Sequence, residues 1–157
     1  MELYDHLRRE FSSVNFDFRV GVVSMYKAQI RTLRQLFSER FGKSILTKVD
    51  FNTVDGFQGQ EKDIIILSCV RAGPGLQSVG FLSDVRRMNV ALTRAKSSLF
   101  ILGHAPTLER SDGTWAQIVQ DARSRLKRNI FRWLPLGRLY QKNSRQQMRR
   151  LSVFLLY

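Results

Sequence analysis

The chain has 157 residues, of which 43% are hydrophobic, and carries a formal net charge of +13. These values fit about one domain with a buried core, and they exclude an intrinsically disordered chain. All 13 acidic residues lie at or before Asp121, so the excess positive charge is concentrated in the C-terminal tail, where it favours a polyanionic partner.

The hydrophobic pattern predicts alternating helices and strands along the first half of the chain. Apolar residues spaced by four predict a short helix over residues 3–11, and a β-branched run predicts a buried strand over residues 19–24. A helix follows over residues 28–41, where apolar residues recur at helical spacing and Gly42 ends the pattern. Residues 45–51 form a second strand candidate.

The second half of the chain continues this alternation. Residues 63–70 are apolar almost throughout, which predicts a central parallel strand. A loop containing Gly73, Pro74 and Gly75 follows, and Ser83 or Asp84 then caps a basic helix that ends near Lys96. A fourth strand is predicted over residues 99–103.

A final helix is predicted over residues 115–125, beginning at Asp112 or Thr114. The order of strands and helices indicates an α/β fold, with a parallel sheet between two helical layers. The predicted organisation is an N-terminal helix with its connection, a main domain and a basic tail, over residues 1–19, 20–125 and 126–157.

Cysteine and histidine usage argues against disulfides and metal sites. Cys69 is the only cysteine, and its apolar surroundings indicate a small buried side chain in a reducing compartment. His6 and His104 lack neighbours at metal-ligand spacing. No apolar run approaches the ~20 residues of a membrane span, and residues 1–10 lack the apolar region of a secretory signal.

Two polar segments that follow predicted strands each allow two interpretations. In residues 24–29, the Ser24 hydroxyl and the helix amides suit a phosphate and Tyr26 suits stacking on a base, but an ordinary capping turn has the same residues. In residues 53–61, glycines allow close backbone approach to a ligand and Glu61 can accept hydrogen bonds from ribose hydroxyls. A solvated turn with a salt-bridged glutamate is the alternative.

A third segment, residues 86–96, is rich in arginine. Arg87 or Arg94, held on a rigid helix, could neutralise a transferring phosphoryl group, whereas a basic surface helix is the simpler interpretation. These polar segments lie at the ends of neighbouring buried strands, where open α/β sheets usually place phosphate chemistry.

Gly42, Lys43 and Ser44 look like the end of a phosphate-binding loop of the form GxxxxGK[ST]. That pattern requires glycine where this chain has Phe37, and it requires a preceding strand where a helix is predicted. We therefore expect no phosphate-cradling loop here and no acidic pair for Mg²⁺.

Three segments together resemble motifs IV, V and VI of superfamily 1 helicases, over residues 20–29, 49–71 and 81–104. The stretches VDGFQGQEKDIIILSCVRA and RRMNVALTRAKSSLFILGH are most similar to the senataxin type within the Upf-like branch. The resemblance covers about residues 20–125 and implies the second, RecA-like helicase domain of the P-loop NTPase type.

The resemblance implies an ATP-hydrolysing helicase and assigns roles in it. Arg94 corresponds to the arginine finger on the ATP γ-phosphate, Glu61 contacts the ribose and Gly59 lies near the phosphates. Arg87 links the arginine-bearing helix to its surroundings. The phosphate loop and the Mg²⁺ ligands are expected on a first RecA-like domain, so the isolated chain is expected to be inactive.

The resemblance also places Tyr26, Thr53 and Asp55 toward a nucleic-acid strand. The expected partners are single-stranded RNA or DNA, RNA–DNA hybrids and the first RecA-like domain, without a membrane. Met25 stands where the family usually has proline, so the family's turn geometry does not carry over directly to Tyr26. The expected location is the nucleus, with the cytoplasm as the alternative.

Two interpretations remain for the basic tail, residues 126–157. Its aromatic and basic residues are typical of a nucleic-acid-binding arm, and a poorly ordered or divergent extension is favoured over that arm. A non-catalytic nucleic-acid-binding or regulatory module is the alternative function for the whole chain.

Overall fold

The computed structural model describes residues 1–70, 80, 84–128 and 152–156. Its helices are α1 (Glu2–Glu10), α2 (Lys27–Phe41), α3 (Ile45–Lys48), a 3-10 helix (Asp55–Phe57), α4 (Val85–Thr93), α5 (Ala105–Ser111) and α6 (Gly113–Arg128). Its strands are β1 (Val20–Ser24), β2 (Val49–Thr53), β3 (Lys62–Ser68), β4 (Ala95–Leu102) and β5 (Ser152–Leu156). The predicted loop at Gly73, Pro74 and Gly75 lies outside the described residues, as does most of the tail.

The five strands form one parallel sheet in the order β2-β1-β3-β4-β5. In its register, Ser24 of β1 lies opposite both Thr53 of β2 and Ser68 of β3, while Lys62 of β3 lies opposite Ala95 of β4. The strands therefore share a carboxyl end, at Ser24, Thr53 and Ser68, and an amino end, at Lys62 and Ala95. The predicted parallel α/β fold of the RecA-like type is confirmed.

Alternate side chains of the strands point into two hydrophobic cores, one on each face of the sheet. On one face, the inward residues of β1, β3 and β4 pack with the 3-10 helix, α4, α5 and α6 through Phe57, Met88, Leu108 and Trp115. On the other face, α1 and α2 cover the sheet through Tyr4, Leu7, Ile30 and Phe37. Each such side chain stabilises the fold by about 1.5–3 kcal/mol relative to exposure.

The connection from β2 to β3 crosses the face of β1 in the short segment over residues 54–61. Phe57, at the centre of this crossover, is fully buried. A Cβ atom placed on Gly21 of β1 would lie 2.7 Å from Phe57 Cζ and 2.8 Å from Ile65 Cδ1. Gly21 therefore leaves the space that the phenyl ring occupies, as glycine in a strand often does where another segment approaches closely.

Cys69 follows β3 and is buried in the first core. Burial raises the pKa of its thiol to about 12, so the side chain stays neutral. The predicted role as a small buried hydrophobe is confirmed.

Among the residues that the structure describes, no helix combines the length and apolar character that a membrane span needs.

Two predicted boundaries are wrong. The second strand begins at Val49 rather than at residue 45, because Ile45–Lys48 form the short helix α3. Ile45 is buried in the core beneath α1 and α2. The basic helix ends at Thr93, and β4 begins at Ala95 rather than at residue 99. Pairing with β3 explains the earlier start, because the Lys62 backbone N–H donates to the Arg94 carbonyl at 3.0 Å.

Besides α3 and the 3-10 helix, two further elements were not predicted. Helix α5 (Ala105–Ser111) follows β4 directly, with proline in its first turn. Strand β5 (Ser152–Leu156) lies in the tail that was expected to be poorly ordered or divergent, and it pairs with β4. An unpaired strand edge accepts such an addition because its backbone groups lack partners.

We expect Gly21→Ala to lower the free energy of unfolding by about 1–3 kcal/mol, because the added methyl group overlaps the Phe57 ring. Urea unfolding followed by circular dichroism measures the loss. Gly113→Ala is the matched control, since a Cβ there meets nothing within 4 Å. A Gly21→Ala chain as stable as the control would show that the crossover does not depend on this contact.

Candidate functional site

Arg94 lies at the amino end of the sheet, between α4 and β4. The Asp84 carboxylate fixes the start of α4 by accepting hydrogen bonds from the backbone N–H groups of Arg86, at 3.0 Å, and Arg87, at 3.3 Å. At the other end of the helix, the Arg94 carbonyl accepts from Lys62 of β3. The Arg94 backbone is therefore held by the sheet as well as by its helix.

The half-buried Arg94 guanidinium makes three hydrogen bonds. Its Nε donates to the Val90 carbonyl at 3.1 Å, its Nη2 to Thr93 Oγ1 at 2.9 Å and its Nη1 to the Gln60 carbonyl at 3.4 Å. Within the described part of the chain, no carboxylate forms an ion pair with it. A guanidinium has five N–H donors, so two N–H groups and the whole positive charge remain for an anion.

Glu61 follows Gln60 directly and precedes β3, so it lies next to the segment that the Arg94 guanidinium contacts. Its side chain is exposed, and no ion pair of its carboxylate occurs among the described residues. The salt-bridged alternative for Glu61 therefore finds no support there. Gly59, two residues earlier, has a φ of +79°, a backbone conformation that favours glycine.

Tyr26 and Thr53 lie at the carboxyl end of the sheet. Tyr26 is the residue before α2, and its backbone N–H donates to Ser24 Oγ at 3.4 Å. The buried Ser24 hydroxyl in turn donates to the Ser68 carbonyl at 3.1 Å, which ties the end of β1 to β3. Thr53 ends β2, and its hydroxyl accepts from the Gly56 N–H at 3.2 Å.

Asp55 begins the 3-10 helix of the crossover and pairs with Arg87 of α4, with 3.0 Å between Oδ1 and Nε. This hydrogen bond, and then the charge of Asp55, raise the pKa of Arg87. The pair joins α4 to the crossover, as expected for Arg87. Asp55 still has most of its side chain exposed, at 64%.

The predicted site residues therefore form two groups at opposite ends of the sheet. Glu61 and Arg94 lie beside one another at the amino ends of the neighbouring strands β3 and β4, and Tyr26 and Thr53 lie at the carboxyl ends of β1 and β2. Open α/β sheets usually bind ligands outside the carboxyl ends. The Glu61 and Arg94 group lies at the other end of the sheet, because the crossover returns the chain to the amino end before Glu61.

Comparison with known proteins identifies the family. Residues 1–106 match a family model described as an AAA domain. The chain is 44% identical over 156 residues to Helicase SEN1 of Saccharomyces cerevisiae, covering 98% of this chain and 7% of that protein. It is 49% identical over 125 residues to Helicase sen1 of Schizosaccharomyces pombe, covering 80% of this chain and 7% of that protein.

The chain belongs to the senataxin-type superfamily 1 helicases. Probable helicase senataxin of Homo sapiens is 41% identical over 125 residues, covering 80% of this chain and 4% of that protein. This senataxin-type chain thus spans less than a tenth of the length of these three relatives. Two of these three relatives are named as helicases and the third as a probable helicase.

Sequence reasoning missed three groups that shape the site of this senataxin-type domain. The Gln60 carbonyl and the Thr93 hydroxyl hold the Arg94 guanidinium, and no sequence signal marks a backbone carbonyl as its partner. Asn52 Nδ2 donates to the Gly56 carbonyl at 2.9 Å and so ties β2 to the crossover. An asparagine just before a turn is a recognisable signal for such a bond.

We expect Gly56→Ala to destabilise the crossover, because its Cβ would lie 2.2 Å from Asn52 Oδ1. Displacing the amide and breaking its hydrogen bond should cost about 1–3 kcal/mol of unfolding free energy. In an Asn52→Ala background the same substitution should cost less, because the obstructing amide is absent. Urea unfolding of the four chains measures the coupling. An equal cost in both backgrounds would show that the Asn52 amide is not what obstructs a Cβ at residue 56.

Proposed function

We propose that this chain is the C-terminal RecA-like half of an ATP-dependent RNA/DNA helicase, with Arg94 as its arginine finger. The observation that carries the proposal is the Arg94 guanidinium, which is half-buried beside the segment containing Glu61 and has no acidic partner among the described residues. A partly desolvated cation without a counter-ion is suited to an incoming anion.

In this proposal the three hydrogen bonds of Arg94 orient its side chain before ATP arrives. The two remaining N–H groups contact the γ-phosphate, where negative charge must be stabilised during transfer. The orientation is built in advance, so little reorganisation accompanies the reaction. Glu61 accepts hydrogen bonds from the ribose hydroxyls, and Gly59 lets the backbone approach the phosphates.

A first RecA-like domain supplies the remainder of the nucleotide pocket in this proposal. Within the described ranges, no group of three or more His, Cys, Asp or Glu side chains could hold a metal ion. Gly42 and Lys43 follow α2 rather than a strand, so they form no phosphate loop. As the family motifs imply, the Mg²⁺ ligands and the phosphate loop come from that first domain, and we expect this chain alone to hydrolyse no ATP.

Tyr26, Thr53 and Asp55 are proposed to contact single-stranded RNA or DNA, or one strand of an RNA–DNA hybrid. They lie at the carboxyl end of the sheet or on the crossover, away from Arg94. The Asp55–Arg87 pair connects the two regions, because it joins the crossover to the helix that carries Arg94.

A nuclear location is proposed from the family, with the cytoplasm as the alternative.

The competing proposal is a non-catalytic nucleic-acid-binding or regulatory module, which the net charge of +13 favours. In that function Arg94 belongs to a basic surface, and its removal weakens strand binding instead of hydrolysis.

To distinguish these functions, the full chain is combined with a first RecA-like domain from a senataxin-type relative, and ATP hydrolysis is measured with single-stranded RNA. We expect activity only from the mixture, and we expect Arg94→Ala to lower kcat by about 10³-fold or more, as loss of an arginine finger does. The affinity for the strand should stay nearly constant.

Arg110→Ala, on the exposed side of α5, is the matched control and should keep full activity. Thermal unfolding of the Arg94→Ala chain excludes misfolding as the cause. ATP hydrolysis by this chain alone would contradict the assignment of the phosphate loop and Mg²⁺ ligands to a first domain. Loss of strand affinity in Arg94→Ala would favour the non-catalytic module.

A further inference from the structure

Helix α2 carries three basic residues on one flank, Lys27, Arg31 and Arg34. Their spacing of four and three residues places them above one another on the helix surface. All three side chains are exposed. The buried residues Ile30 and Phe37 lie on the adjacent face of the helix and pack in the core, so the three cations line the exposed border of that core. We call these three residues the basic stripe.

The basic stripe differs from its neighbours in lacking acidic partners. Nearby on the same side of the molecule, Arg40 pairs with Asp5 at 2.7 Å and Lys48 pairs with Asp17 at 3.0 Å. No carboxylate in the described residues pairs with a residue of the basic stripe. The Arg34 guanidinium instead lies over the Phe51 ring, 6.0 Å from its centre. The stripe thus concentrates three uncompensated charges.

The position of the basic stripe is continuous with the predicted nucleic-acid residues. Lys27 follows Tyr26 directly, at the carboxyl end of the sheet. Phe51, beneath Arg34, lies two residues before Thr53 on β2, the outermost strand on that side. The stripe therefore starts beside Tyr26 and runs along the β2 side of the sheet.

We propose that the basic stripe binds the phosphate backbone of the strand contacted by Tyr26 and Thr53, extending its path along α2. This inference rests on the proposed nucleic-acid function. From Lys27 to Arg34 the helix rises about 10 Å, which matches about three phosphates of a stacked strand. Guanidinium and ammonium groups contact phosphates without reading bases, so the added binding is independent of sequence.

The test uses the full chain and a fluorescent single-stranded oligonucleotide, with affinity measured over a range of salt concentrations. Lys27→Gln/Arg31→Gln removes two stripe charges. Lys43→Gln/Arg110→Gln is the matched control, since it removes two exposed cations elsewhere and changes the net charge equally. We expect the stripe variant to bind more weakly, with a salt slope shallower by about 1.4, or 0.7 per lost phosphate contact.

The control should keep the wild-type slope. With progressively shorter strands, wild type and stripe variant should converge, because a short strand occupies the Tyr26 and Thr53 region alone. Equal losses in both variants would overturn the proposal in favour of a general charge effect. A stripe variant that binds like wild type, or a difference that persists with the shortest strands, would also overturn it.

Failure of the stripe is distinguishable from failure of the proposed function. If the wild-type chain binds strands and the stripe variant is unchanged, the stripe alone is wrong. If the wild-type chain binds no strand at all, the nucleic-acid track at Tyr26 and Thr53 fails with it. The ATPase measurement on Arg94 is independent of both outcomes.

Discussion

The packing of Phe57 against Gly21 is the contact on which the rest of the structure depends. Parallel strands need a connection that returns from the carboxyl end of one strand to the amino end of another. Here β2 and β3 flank β1, and the chain makes this return without a long helix. The missing side chain at Gly21 lets the crossover lie directly on β1, with Phe57 completing the core. A short crossover of this kind leaves little freedom for the residues that follow it.

That constraint places Gln60 and Glu61 at the amino end of β3, next to the end of α4. The Arg94 guanidinium donates a hydrogen bond to the Gln60 carbonyl, because Gln60 and Arg94 precede the neighbouring strands β3 and β4. The crossover is attached to α4 at two points, through Asp55 with Arg87 and through Gln60 with Arg94. Movement of the crossover therefore changes the surroundings of the guanidinium. In the proposed function, this attachment is the physical route by which a strand bound near Thr53 influences a nucleotide bound near Glu61.

The fold could be predicted from the sequence wherever a segment is apolar and β-branched, as β1 and β3 are. The boundary between α4 and β4 at Arg94 could not be predicted. Residues 95–98 have a composition that also suits a helix, and they form a strand because they pair with β3. The neighbourhood of Glu61 and Arg94 was expected from the helicase motifs. The Gln60 carbonyl that joins them is a backbone group and has no signature in the sequence. Asp55 was expected to face nucleic acid, and its bond to Arg87 depends on how α4 packs.

The central claim is that Glu61 and Arg94 form one wall of an ATP pocket at the amino end of the sheet. The most direct measurement is a crystal structure of this chain assembled with a first RecA-like domain and a non-hydrolysable ATP analogue. We expect the Arg94 guanidinium within about 3 Å of a terminal phosphate oxygen, and the Glu61 carboxylate at a similar distance from a ribose hydroxyl. An analogue bound beside Tyr26 and Thr53, with no contact to Arg94, would contradict it.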